Sequence, residues 1–255
     1  MSASLAALFW DVDGTLAETE FEGHLPAFNR AFAESGEPYR WDPETYLRLL
    51  RVSGGRDRLR AWLRDQEGED PSEQRLDALV QAKQHHYTSL VRAGGLPLRP
   101  GVARLIAEAA EAGLTQAIVT ASSRPAVEAL AAGSLAPVAE AFHTWVCGED
   151  VAAVKPDPEG YRLALSRLAL NPDRVLVLED SVGGLAAAHG AGLACVITLS
   201  RLSRREHPSA FARARAVLTD LDGGDPPAPV AGPSEGHGRR APATLSWLQQ
   251  LIQSP

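Results

Sequence analysis

The sequence predicts an α/β protein: a parallel sheet covered by helices on both faces, with a small all-helical segment inserted after the first strand. Three observations carry this. From Pro100 onward, short apolar and β-branched runs alternate with helical patterns, and strands buried on both faces read as such continuous runs. The first apolar run, residues 5–10, stands far upstream of the others, and the residues between are helical and rich in Arg and Glu. A length of 255 residues suits one large domain or a core that carries a smaller one.

In chain order, residues 5–10 read as a buried strand ending at Asp11. "HLPAFNRAFAESG" reads as a helix stopped by Gly36, and further helical stretches follow near residues 43–52, 56–65 and 71–93. Residues 18–96 are thus assigned to a small helical insertion, and residues 1–17 and 97–255 to the core. "RLIAEAAEAG" is a helix closing at Gly113, and "LTQAIVT" a strand closing at Thr120. Then come a helix over 125–132, a strand over 142–147, a helix over 158–170, the strand "RVLVLED", the helix "SVGGLAAAHGAG" and the strand "ACVIT". Residues 222–243, dense in Pro and Gly, read as a flexible loop, and "TLSWLQQLIQ" as an amphipathic helix returning to the core.

A formal net charge of -7 offers no broad cationic field, which argues against nucleic acid or a membrane surface as a partner. Two cysteines, Cys147 and Cys195, lack metal-ligand or redox spacing, so neither a disulfide framework nor a zinc site is expected. The N-terminal apolar run lacks a basic flank and is stopped by Asp11 and Asp13, and no segment reaches the ~20 apolar residues of a membrane span. A cytoplasmic monomer is the expectation. Among 25 Lys plus Arg only Lys83 and Lys155 are lysine, so each marks a place where a compact ammonium is wanted rather than a planar fork.

Polar groups follow the strands: Asp11 and Asp13 the first, Thr120 the second, Glu179 and Asp180 the run "VLVL", with Lys155 in the loop "EDVAAVKPDPEG". In a parallel sheet these converge on one edge, where ligands bind. Gathered carboxylates repel one another, so the cluster calls for cations. An all-oxygen set suits Mg²⁺, which takes one or two carboxylates plus a substrate phosphate. Each piece has a plainer reading as well, since "DVDG" alone makes a capped turn and Asp180 or Ser181 is a good helix N-cap.

Taken in order, "DVDGT", Thr120 in "AIVTASS", Lys155 in "VKPDPEGY" and "VLEDS" resemble the four motifs of the haloacid dehalogenase superfamily, whose core is Rossmann-like. The resemblance implies that Asp11 attacks phosphorus and becomes an aspartyl phosphate, and that Asp13 is the general acid and then base. It implies that Asp11, the Asp13 carbonyl and Asp180 hold Mg²⁺, with Glu179 ligating directly or through water. Thr120 and Lys155 would bind the transferring phosphoryl group.

The superfamily places the cap of its type I members between the first two motifs. Within it, "ETEFEGH", "AFNRAF" and "SGGRDR" resemble the CbbY-type branch, phosphatases of xylulose 1,5-bisphosphate, a misfire product that inhibits Rubisco. The partner implied is a small phosphorylated sugar. Glu18 and His24 would contact sugar hydroxyls, and Arg51, Gly54, Gly55 and Arg56 the distal phosphate, with Lys83 facing the cleft. Ser122 and Arg124 are further substrate-binding candidates, though either could serve in starting the next helix. In the plainer reading Gly54 and Gly55 join two helices and the arginines are solvated. Arg56 stands where this branch leads one to expect lysine. A phosphosugar mutase of the β-phosphoglucomutase kind and a non-catalytic sugar-phosphate-binding protein are the alternatives.

Overall fold

The computed structural model describes residues 4–52, 54–223 and 242–253. After strand β1 (Ala7–Trp10) and a single π turn (Glu20–His24) come four helices, α1 (Leu25–Glu34), α2 (Pro43–Leu49), α3 (Gly55–Glu67) and α4 (Glu73–Arg92). The rest alternates: α5 (Val102–Glu111), β2 (Thr115–Val119), α6 (Arg124–Ala132), β3 (Thr144–Val146), α7 (Glu159–Leu168), β4 (Val175–Glu179), α8 (Val182–Gly190), β5 (Ala194–Thr198), β6 (Ala216–Leu218) and α9 (Leu245–Gln253).

The six strands form one parallel sheet in the order β3-β2-β1-β4-β5-β6. Strand β1 lies between β2 and β4, with Leu8 opposite both Gln116 and Leu176. Chain order runs away from β1 on either side, so a crevice opens beyond its C-terminal end. Successive residues of each strand face opposite layers, and both layers are buried. Leu8, Trp10, Ile118 and Leu178 pack with α5, α6 and α9, whereas Phe9, Val119, Val177 and Ile197 pack with α7 and α8. That double burial is why the strands are continuously apolar. Gln116 is a polar side chain within the apolar layer: it accepts from Trp10 Nε1 at 3.0 Å and donates to Ile106 O at 2.9 Å, so both ends of its amide are engaged.

The helical insertion has its own aromatic centre. Trp41 lies 4.7 Å from Phe28 and 5.9 Å from both Tyr46 and Trp62 by ring centroids, and Asn29 holds its backbone by two 2.8 Å hydrogen bonds. Asp42 caps α2 by accepting from Thr45 N, with Pro43 at the first helical position. Helix α4 belongs to two clusters: Leu76 and Leu79 pack in this aromatic centre, while Tyr87 and Val91 join the layer beneath the sheet, against α6.

Several elements differ from expectation. Strand β6 was not foreseen, β3 is three residues rather than six, and the turn before α1 is π rather than α. Most of the expected loop over 222–243 lies outside the described residues; at its two ends Ala243 N–H donates to Leu221 O at 2.9 Å. Helix α9 docks as expected, burying Trp247, Leu248 and Leu251. Both cysteines are free and buried. Among the described residues no helix is long and apolar enough to cross a membrane.

Candidate active site

Asp11 follows β1 directly, its N–H donating to Leu178 O at 3.0 Å. The chain then turns tightly: Gly14 N–H donates to Ala17 O at 2.8 Å, and Leu16 N–H to Val12 O at 3.0 Å. Gly14 has φ 82°, and a Cβ there would strike the Asp180 carboxylate, so this turn admits only glycine.

Lys155 is the hub of the edge. Its Nζ donates to Asp11 Oδ1 at 2.6 Å, Glu179 Oε1 at 2.7 Å and Val119 O at 2.8 Å, and lies 5.1 Å from the centre of the Tyr161 ring. Burial pulls this ammonium down, but Asp11 and Glu179 outweigh it and hold its pKa well above the lysine range. Glu179 is fully buried and both its oxygens are engaged: Oε1 also accepts from Tyr161 at 3.2 Å, and Oε2 accepts from the N–H groups of Asp180 and Ser181 and from the Ser181 hydroxyl. It fits only because residue 184 is glycine, since a Cβ there would overlap the carboxyl.

One carboxylate oxygen from each of Asp11, Glu179 and Asp180 lies within 4.8 Å of the others. Burial first, and then the neighbouring Glu179, raise Asp11 to about 7 and push Asp180 well above the carboxylate range. Lysine alone therefore leaves this site short of positive charge, and an all-oxygen, buried, charge-starved set fits a Mg²⁺ ion. Asp11 and Asp180 have capacity for it. Glu179, with every lone pair in use, supports from behind.

Thr120 and Ser122 follow β2. Thr120 Oγ1 accepts from Ser122 N–H at 3.0 Å, and the Ser122 hydroxyl donates to Asp13 Oδ2. Asp13 Oδ1 is buried and takes no hydrogen bond from any described residue. Facing it at 4.0 Å is Nε2 of His24. Burial and the nearby Lys83 and Arg58 hold His24 neutral, its pKa well below the usual value. Because its Nδ1 accepts from Lys83 Nζ at 3.1 Å, its proton lies on Nε2, toward Asp13. Removing the Ser122 hydroxyl frees Asp13 to rotate, so Ser122→Ala is expected to lower kcat about tenfold with KM nearly unchanged in steady-state assays.

The helical insertion lends Glu20 and Phe21 to the cleft, and a buried polar network stands behind Glu20. Tyr46 donates to Glu20 Oε2 at 2.5 Å, Arg58 Nη1 donates to Tyr46 Oη at 3.3 Å, and Arg58 Nε donates to Leu49 O at 3.1 Å. His24 stacks on Tyr87 at 4.2 Å, and Lys83 has no carboxylate in ion-pair contact among the described residues. The cleft, about 330 Å³, is lined by Asp11, Asp13, Glu18, Glu20, Lys155 and Asp180, among others. A larger hollow of about 510 Å³ at the opposite edge of the sheet carries a single carboxylate, Asp173, and no acid pair.

Not every sequence candidate reaches this cleft. Glu18 lines it, but its carboxylate accepts the Arg201 N–H at 3.1 Å and faces Arg99 Nε at 3.4 Å. Arg56 turns to the outer face of the insertion, against Asp77 and, at 2.8 Å, Glu73. Arg51 is exposed, Gly54 and Gly55 start α3 with Gly55 against Phe28, and Arg124 is bound to Glu149 and Asp150. None of these five lines the cleft. Conversely, Glu20, Tyr46 and Arg58 were not singled out from sequence. The available signal was helical phase: Arg56 and Arg60 lie one turn apart and share Glu73, so Arg58, about 200° around α3 from Arg56, faces inward.

A parallel sheet that brings a paired aspartate, a lysine and two further acids to one edge, beneath a helical lid, defines a hydrolase of phosphoric monoesters. The chain belongs to the haloacid dehalogenase-like hydrolase family, which residues 5–192 match. It is 43% identical over 231 residues to Protein CbbY of Cereibacter sphaeroides, covering 89% of this chain and 100% of that one. The crystal structure of CbbY from Rhodobacter sphaeroides in complex with phosphate superposes with a TM-score of 0.74 at 43% identity, over 85% of this chain and 94% of that chain. A mutant of that protein in complex with xylulose 1,5-bisphosphate superposes equally well, TM-score 0.74 at 42% identity, over the same 85% and 94%.

Proposed function

We propose that this hydrolase is a Mg²⁺-dependent sugar-phosphate phosphatase acting on xylulose 1,5-bisphosphate through an aspartyl phosphate on Asp11. The observation that supports it most is the buried cluster of Asp11, Glu179 and Asp180 around Lys155, with Asp13 beside it in the same cleft. Lys155 sits in that carboxylate centre, and on the insertion side Lys83, with no ion-paired carboxylate among the described residues, holds His24, whose Nε2 lies 4.0 Å from Asp13, a second cation for the far end of a bisphosphate. The related CbbY complex with xylulose 1,5-bisphosphate supports the choice of sugar.

In this reading Asp11 attacks phosphorus while Lys155 and Thr120 balance the charge on the equatorial oxygens. Asp13, held by Ser122, gives its proton to the leaving alkoxide and takes one from the water that hydrolyses the aspartyl ester. Mg²⁺, when bound by Asp11, Asp180 and the Asp13 carbonyl, neutralises the acids and the phosphate so that Asp11 is ionised at neutral pH. On the insertion side Glu20, steadied by Tyr46 and Arg58, and His24 close over the sugar and exclude water.

Phosphate release from xylulose 1,5-bisphosphate, ribulose 1,5-bisphosphate and β-glucose 1-phosphate, each with Mg²⁺ and with EDTA, tests this. Preference for the first, lost in EDTA, is expected; glucose 6-phosphate appearing from the third means a mutase, and no turnover of any sinks the reading. Burial lowers Lys83 to about 8, so KM for a bisphosphate is expected to climb as pH rises through that value, and Lys83→Met to flatten the climb. Between about 8 and 10.5 the unfolded chain keeps a proton that the folded one has shed, so stability gains from this group as pH rises.

A further inference from the structure

The chain passes between core and helical insertion twice, and the two crossings lie side by side. Ala17 bridges Leu98, and Arg99 N–H donates to Leu16 O at 2.8 Å. From there the Arg99 side chain, 7% exposed, turns into the C-terminal edge of the sheet. Nη1 donates to the carbonyl of Gly14 and, at 2.9 Å each, to Thr198 O and Oγ1; Nη2 donates to Leu199 O at 2.7 Å and Thr219 O at 3.0 Å. Nε faces Glu18, whose carboxylate also takes the Arg201 N–H, and the Arg201 guanidinium lies 4.6 Å from the centre of the Phe21 ring. The Nη protons thus find acceptors on the catalytic turn and the ends of β5 and β6, Thr198 O and Oγ1 sharing one of them, while Nε faces the cap entrance at Glu18. A lysine, with three protons on one point, cannot span them.

We infer that Arg99 is a positioning residue for the reaction: by pinning Gly14 to the ends of β5 and β6 it fixes where both crossings leave the core, and so holds Glu20 and His24 over Asp13. It touches no reacting atom. The inference rests on the phosphatase reading above.

Two variants test it, Arg99→Lys and Thr198→Val, the second removing only the Oγ1 acceptor. For the sugar phosphate that the wild type hydrolyses best, KM is expected to rise about tenfold in Arg99→Lys and about threefold in Thr198→Val. The inhibition constant of inorganic phosphate, which needs only the core residues, is expected to stay within about twofold. Hydrogen exchange is expected to quicken over residues 14–18 and 98–99 and to hold over β4 in both variants, more so in Arg99→Lys. That readout needs no turnover, so an inert wild type would fail the phosphatase reading without deciding this one. KM and the phosphate constant rising together, or unchanged exchange at both crossings, overturns the inference. Should Arg99→Lys not fold, Thr198→Val decides by the same two measurements.

Discussion

Asp11→Asn is expected to lower kcat by about 10⁴-fold or more, because an amide is no nucleophile toward phosphorus. The same change should raise the melting temperature of the metal-free protein at pH 7.5 by about 3 °C. Asp11 has its folded pKa raised from 3.8 to about 7, so the folded state holds a proton that the unfolded state has lost. Its contribution to stability is complete below the unfolded value and disappears as pH climbs through about 7. Asparagine escapes that penalty. Calorimetric melts of both proteins at pH 5 and 7.5 check this, since the gain must be larger at the higher pH. An equal gain at both would mean that Asp11 is not strained by its ionisation.

Lys155→Met removes the cation between two buried carboxylates. It is expected to cost about 3–5 kcal/mol, as breaking a buried ion pair from one side does, and about 10³-fold in kcat. Urea melts and phosphate-release assays read the two losses separately. Lys155→Arg should recover little, because Asp11 and Glu179 approach one Nζ at 2.6 and 2.7 Å, a slot for a compact charge rather than a fork. Stability unchanged in Lys155→Met would show that the pair is not held as tightly as its geometry indicates.

The core and the gathering of Asp11, Lys155, Glu179 and Asp180 at its edge were legible because both rest on local signals. A doubly buried strand must be continuously apolar, and the polar residue closing each strand must lie on the edge that all of them share. Strand β6 escaped because Ala216–Leu218 is three residues long and follows an arginine-rich stretch, leaving no period to detect. Tyr46 was hidden for another reason: its ring packs with Phe28 and Trp41 as any core residue does, and only its hydroxyl, reaching Glu20, has a polar task. Glu18 and Arg56 show the reverse limit. The family resemblance implied a sugar contact for Glu18 and the glycine-flanked turn an oxyanion contact for Arg56; Glu18 lines the cleft but is also engaged by Arg201 and Arg99, and Arg56 is held outside it by Glu73 and Asp77, through pairings formed only in three dimensions.

Helix α4, at 20 residues about 30 Å long, has its last turns bedded against α6 and its first turns in the aromatic centre of the insertion. A rigid helix anchored in this way would turn about its bedded end, near Val91. Lys83 stands about 12 Å along the arm and Leu76 about 22 Å, so any tilt that swings the outer helices moves Lys83 only about half as far. Placed midway along that arm, the cap lysine would shift less than the rim of the insertion in any such tilt, so its reach toward Asp13 is the better kept of the two.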